Sequence, residues 1–137
     1  MPHFLATHSL AEHVAAALLS LDWLAFGILH FRAPSAVALQ IPRYLPCPEF
    51  LVAVSGVLEL LLAVGLWTPW RPWAFLGTTL LLAAFTPAVV EICRNDQAVA
   101  MFSNILQRSN TFWRVTIVVH NVVVGVVSFA LFMSARR

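Results

Sequence analysis

Lysine is absent from this chain of 137 residues, and all eight basic residues are arginine. Charged residues make up only 10% of it, where a soluble domain carries about 25% to keep its surface hydrated. A chain this poor in charge cannot coat a globule of its own size with polar groups. The formal net charge is only +2 and no basic run exceeds Arg136-Arg137, which excludes the clustered basic face of a nucleic-acid binder. The two cysteines, Cys47 and Cys93, show no CxxC spacing and are too few for a disulfide scaffold. We expect two free thiols. No Lys or Arg precedes the first apolar run, so the leading residues, with His3, His8 and His13, lack the basic start of a secretory signal or transit peptide. Met1 is accordingly read as the first residue of the mature protein, and the three histidines as surface residues.

What is present in abundance is apolar length. Hydrophobic types reach 61% and the mean hydropathy is +0.86. A bilayer core about 30 Å thick takes roughly 20 apolar residues as a helix. Four runs approach or reach that length: Leu10 to Phe31, Phe50 to Trp67, Trp73 to Val90 and Trp113 to Met133. None alternates with period two, and a backbone in lipid must satisfy its own polar groups. Residues 1–137 therefore read as a single all-α membrane domain, a four-transmembrane-helix bundle in contact with the lipid bilayer and not with nucleic acid.

The connections divide the bundle into two ends. Thr68-Pro69-Trp70-Arg71-Pro72 is a tight link, with Trp67, Trp70 and Trp73 placed as an interfacial aromatic belt. This end, surface Y, also receives both termini. Surface X holds the longer connections. Residues 32–49 contain Pro34, Pro42, Pro46 and Pro48, which exclude a continuous helix but leave room for a short surface helix after Ser35. In residues 91–112, the spacing of Val99, Phe102, Ile105 and Leu106 gives one apolar helical face. That face suits either a helix lying on the membrane or a cap over the bundle. Surface X carries Arg32, Arg43, Arg94, Arg108 and Arg114 against Arg71, Arg136 and Arg137 on Y, a lean toward X facing the cytoplasm or matrix.

Polar side chains inside the runs are the candidates for function. Counted from the X ends, Asp22, Glu59, His120 and Asn121 lie roughly 10 to 14 Å deep at 1.5 Å rise per residue. Ser55 and Thr86 are shallower and His30 sits at the rim. Ser55 and Glu59 are four apart, as are Thr116 and His120, so each pair shares a helix face. Thr79, Ala83 and Thr86 add a small stripe to the third run. An ionised carboxylate facing lipid at that depth costs on the order of 3 kcal/mol, so both carboxylates need partners or a proton. Depth alone pairs Glu59 with His120, and Asp22 with Asn121 or His30, around a polar cavity open toward X. The same groups serve as interhelical hydrogen-bonding glue or as a ligand or proton site.

Phe26-Gly27-Ile28-Leu29-His30-Phe31 followed by Pro34, then Leu45-Pro46-Cys47-Pro48-Glu49 and Ser55-Gly56-Val57-Leu58-Glu59, resembles the DoxX-like family of small four-helix membrane proteins. The likeness covers about residues 23–67, with a weaker echo at Phe85-Thr86-Pro87-Ala88. Val89 departs from the Asn often found there, and residues 91–112 fit the pattern poorly. The resemblance implies a membrane subunit linked to quinone oxidoreductases, with His30 and Glu59 bordering a quinone head group.

Three functions follow as expectations. The first is a non-catalytic accessory subunit of a larger, respiratory or redox, membrane complex, bound to other membrane subunits. The second is a quinone-linked protein whose partner holds the cofactor, since His30 and His120 differ in depth by roughly 10 Å and cannot share a haem iron. The third is a proton-coupled transporter similar in size to the small multidrug exporters. No metal site, catalytic constellation or bound cofactor is expected in the chain itself, although quinone or lipid binding is compatible with it. A bacterial plasma membrane or a mitochondrial inner membrane would suit it.

Overall fold

The computed structural model describes residues 9–106 and 108–135, and the side chains of Ile105 and Leu106 lie outside this description. His3, His8, Arg136 and Arg137 also fall outside it. Seven helices and no strands occur among the described residues: α1 (Leu10–Arg32), α2 (Pro34–Ala38), α3 (Pro48–Gly65), α4 (Arg71–Ala84), α5 (Thr86–Arg94), α6 (Asp96–Leu106) and α7 (Asn110–Ser134). Three of them, α1, α3 and α7, are each long and apolar enough to cross a bilayer, and α4 with α5 makes a fourth crossing if the bent pair is one span. By length and composition this is an integral membrane protein.

The local sequence accounts for where the helices start and stop. Ser9 caps α1 by accepting a hydrogen bond from the Glu12 backbone N–H at 3.2 Å, the S-x-x-E pattern of a capping box. Ser109 caps α7 in the same way through Phe112. Cys47, between two prolines, takes a left-handed conformation at φ 52° and introduces α3. Proline restricts the preceding residue away from the right-handed helical region, so the chain turns there.

The third span is not the continuous helix expected over residues 73–90. It breaks after Ala84 and bends by 40° into α5. Pro87 has no N–H to continue the ladder, and its ring crowds the preceding turn. Alone, the 14 residues of α4 would span about 21 Å, short of the hydrocarbon thickness.

Packing concentrates in two seams, α1 against α3 and α4 against α7. The apolar core lies toward Y, where Ala16, Leu19, Trp23, Ala63, Leu66, Phe75, Leu82 and Phe132 interlock from all four spans. Two polar links run through it: Ser20 Oγ donates to the Ala63 carbonyl at 2.9 Å, and Trp23 Nε1–H donates to Thr78 Oγ1 at 3.0 Å. Toward X, α6 acts as a cap. Val99 is fully buried with Ile92 and Ala98, and Phe102 packs on Trp113 of α7 at 5.6 Å. Asp96 then ties the cap down, accepting from Arg114 at 2.7 Å and from Asn110 at 2.9 Å. The α2 helix begins at Pro34, close to its expected start. Cys47 and Cys93 are free thiols, as expected, and both are exposed.

Candidate functional site: two histidine–carboxylate pairs

The α1/α3 seam is closed by glycine. A Cβ at Gly27 would meet Leu60 Cδ2 at 2.8 Å and the Gly56 carbonyl at 3.2 Å. One at Gly56 would meet His30 Cβ at 2.7 Å. Such close approach between helices in lipid depends on small residues at the contact. It also delivers His30 to Glu59, which lies one turn further along α3.

His30 Nδ1 lies 3.2 Å from Glu59 Oε2, with side chains 11% and 2% exposed. The same Nδ1 lies 2.8 Å from the Phe26 carbonyl. A carbonyl only accepts, so the contact assigns the ring proton to Nδ1. That N–H is directed at Phe26, and among the described residues Oε2 is left buried without a hydrogen bond. Glu59 is therefore close to a donor that is engaged elsewhere.

The second pair joins α1 to α7. His120 Nε2 lies 2.9 Å from Asp22 Oδ2, and these side chains remain 33% and 25% exposed. Phe26 covers one side of the His120 ring at 6.2 Å between centroids. Asp22 is near enough for its charge to act on Glu59, so the two pairs are electrostatic neighbours.

These partners exchange the ones expected from depth: Glu59 meets His30 and not His120, while Asp22 meets His120 and not Asn121 or His30. For His30 and Glu59 the cause is side-chain direction. Helical side chains lean toward the N-terminus of their own helix. His30, on a helix ending at X, leans down into the membrane, and Glu59, on a helix starting at X, leans up. Their Cα levels differ, but their polar atoms meet. Counting Cα depth alone left His30 at the rim.

The remaining candidates do not join the site. Ser55 Oγ donates to the Val52 carbonyl within its own helix at 3.0 Å, and Asn121 Nδ2 turns to the Ile117 carbonyl at 3.5 Å. Thr86 is exposed at the start of α5. Thr79 instead bridges α4 and α7 by donating to the Gly125 carbonyl at 3.2 Å. The paired groups meet in direct contacts. A groove of about 470 Å³ lies elsewhere, between α3 and α4, lined by leucines, Gly65, Gly77, Trp70 and Trp73. None of the paired groups lines it.

Arg71 belongs to the short link at Y. It is buried, with 1% exposure. Its Nε–H donates to the Leu66 carbonyl at 2.7 Å, its guanidinium lies 5.8 Å from the Trp67 ring, and the charge of Glu12 acts on it. The signal was available: an arginine flanked by Trp70 and Pro72 in a short link sits within reach of the carbonyls left open where α3 ends.

Residues 16–130 match the model of a family described as a domain of unknown function, DUF8561, and the chain belongs to that family. No curated protein and no solved structure matches it.

Proposed function

We propose that the chain is a small accessory subunit of a larger, respiratory or redox, membrane complex, seated in a bacterial plasma membrane or a mitochondrial inner membrane. The observation that carries this reading is the coverage of α7. Only 11% of its apolar window is buried by the rest of the chain, against 33% for α1. The Asp22–His120 pair, which joins α1 to α7, stays 25% and 33% exposed in the chain alone. Intramembrane ionisable groups face a bundle interior or a water-filled cavity, and not hydrocarbon. A neighbouring subunit seated on α7 would supply such an interior.

The DoxX-like resemblance of residues 23–67 supports a redox-linked neighbour. A quinone head group does not fit between His30 and Glu59, because the 3.2 Å contact and the glycine seam leave no gap there. In this reading quinone belongs to the partner. Native gel electrophoresis of gently solubilised membranes tests the proposal. A high-mass band containing this chain is expected, and migration solely as a monomer or small oligomer would overturn it.

The buried His30–Glu59 pair favours a second reading, a small proton-coupled transporter. A Glu59→Gln variant should then lose substrate movement driven by a proton gradient. Transport of a cationic dye by that variant at the wild-type rate would remove this reading.

A further inference from the structure

We infer that Glu59 is a proton-exchange site inside the membrane, filled from surface X through the imidazole of His30. The inference concerns this chain by itself and does not depend on its being a subunit.

Three observations carry it. Glu59 is 1% exposed, and among the described residues its Oε2 has no hydrogen bond although it is packed into the α1/α3 seam. An unfilled acceptor in such a place leaves a position for a proton. His30 Nδ1, 3.2 Å away, is the nearest ionisable donor that the structure gives it. His30 also occupies the last turn of α1, at the X end. Among the described residues its hydrogen bonding is confined to Nδ1, so Nε2 is not committed to the protein.

The transfer balances with these atoms alone. Hydronium at surface X gives a proton to Nε2 and leaves as water, and the ring becomes an imidazolium. A small rotation redirects Nδ1–H from the Phe26 carbonyl to Oε2. The proton crosses, leaving a neutral ring protonated on Nε2 and a neutral Glu59 carboxylic acid. Release follows the same steps in reverse. Imidazole serves this role because its two nitrogens can accept on one side and donate on the other.

The charged surroundings are few. From α1, His30 and Asp22 act on Glu59. From α7, His120 acts on Asp22 by holding Oδ2 at 2.9 Å. The α2 helix has no ionisable residue, and α4 has only Arg71, at the opposite end. Among the described residues, Asp22–His120 is thus the neighbouring pair that would feel the charge change at Glu59.

Infrared difference spectroscopy on the full chain in phospholipid vesicles tests the inference. A protonated-carboxyl stretching band should respond to a pH step, vanish in Glu59→Gln and persist in Glu12→Gln. Glu59→Asp guards against failure of the Gln variant to fold, and should move the band to a new frequency. In His30→Gln, which keeps a hydrogen-bonding group but cannot pass a proton between two nitrogens, deuterium exchange into the band should slow by about a hundredfold. A purely structural histidine would leave that rate unchanged. The inference is overturned by a band that is unaffected at Glu59, by the absence of any pH-responsive carboxyl band, or by a wild-type exchange rate in folded His30→Gln.

Discussion

His30–Glu59 and Asp22–His120 use the same two chemical groups, yet they sit in opposite surroundings. The first lies in a seam where Gly27 and Gly56 let α1 and α3 approach to backbone contact, and its side chains are almost wholly enclosed. The second reaches from α1 to α7 across a contact that brings few other residues together, and it stays partly open at the side. Enclosure therefore comes from the residues around the pair and not from the pair itself. A small residue one turn before Glu59 decides whether the carboxylate is sealed. The long valine-rich flank of α7 has no such device, and its pair remains reachable.

The difference can be broken from its stronger side first. His30→Ala removes the partner of an enclosed carboxylate and should destabilise the protein by about 3 kcal/mol, read from reversible unfolding in mixed detergent micelles. Next is Gly56→Ala. Its added methyl would meet His30 Cβ, which the backbone holds in place, and overpacking of this kind costs about 1–3 kcal/mol. The same substitution should also separate His30 from Glu59, visible as a changed imidazole nitrogen resonance. Asp22→Asn keeps a hydrogen-bonding group opposite His120 and should cost less than about 1 kcal/mol, as interhelical hydrogen bonds in lipid commonly do. Smallest of all is Gly125→Ala on α7. Its Cβ would meet only Leu82 Cδ1, at the ordinary contact distance of 3.9 Å, so stability should stay within about 0.5 kcal/mol of wild type. Equal losses at Gly56 and Gly125 would remove the distinction between the two seams.

Much of the fold was legible because bilayer thickness imposes a length on every spanning run. The four apolar segments, the tight Y link and the surface helices all follow from length, proline and aromatic placement. Pro87 was visible too, but a hydropathy count treats it as one weakly polar residue, whereas its effect is to interrupt a hydrogen-bond ladder. The candidate site was less legible. Asp22, His30, Glu59 and His120 are identifiable as costly residues in apolar runs, but their partners depend on rotation about each helix and on the lean of each side chain. Gly56 and Gly27 carried the missing information, since two glycines on facing spans mark the seam that must close. Arg71 illustrates another limit: a link residue looks exposed in sequence and is buried when the helix it follows leaves carbonyls for it.

Double-mutant cycles on His30 with Glu59, and on Glu59 with His120, test the pairing most directly. The structure predicts a coupling of about 1 kcal/mol or more for the first and additivity within about 0.5 kcal/mol for the second. Additivity between His30 and Glu59, with coupling between Glu59 and His120, would contradict it.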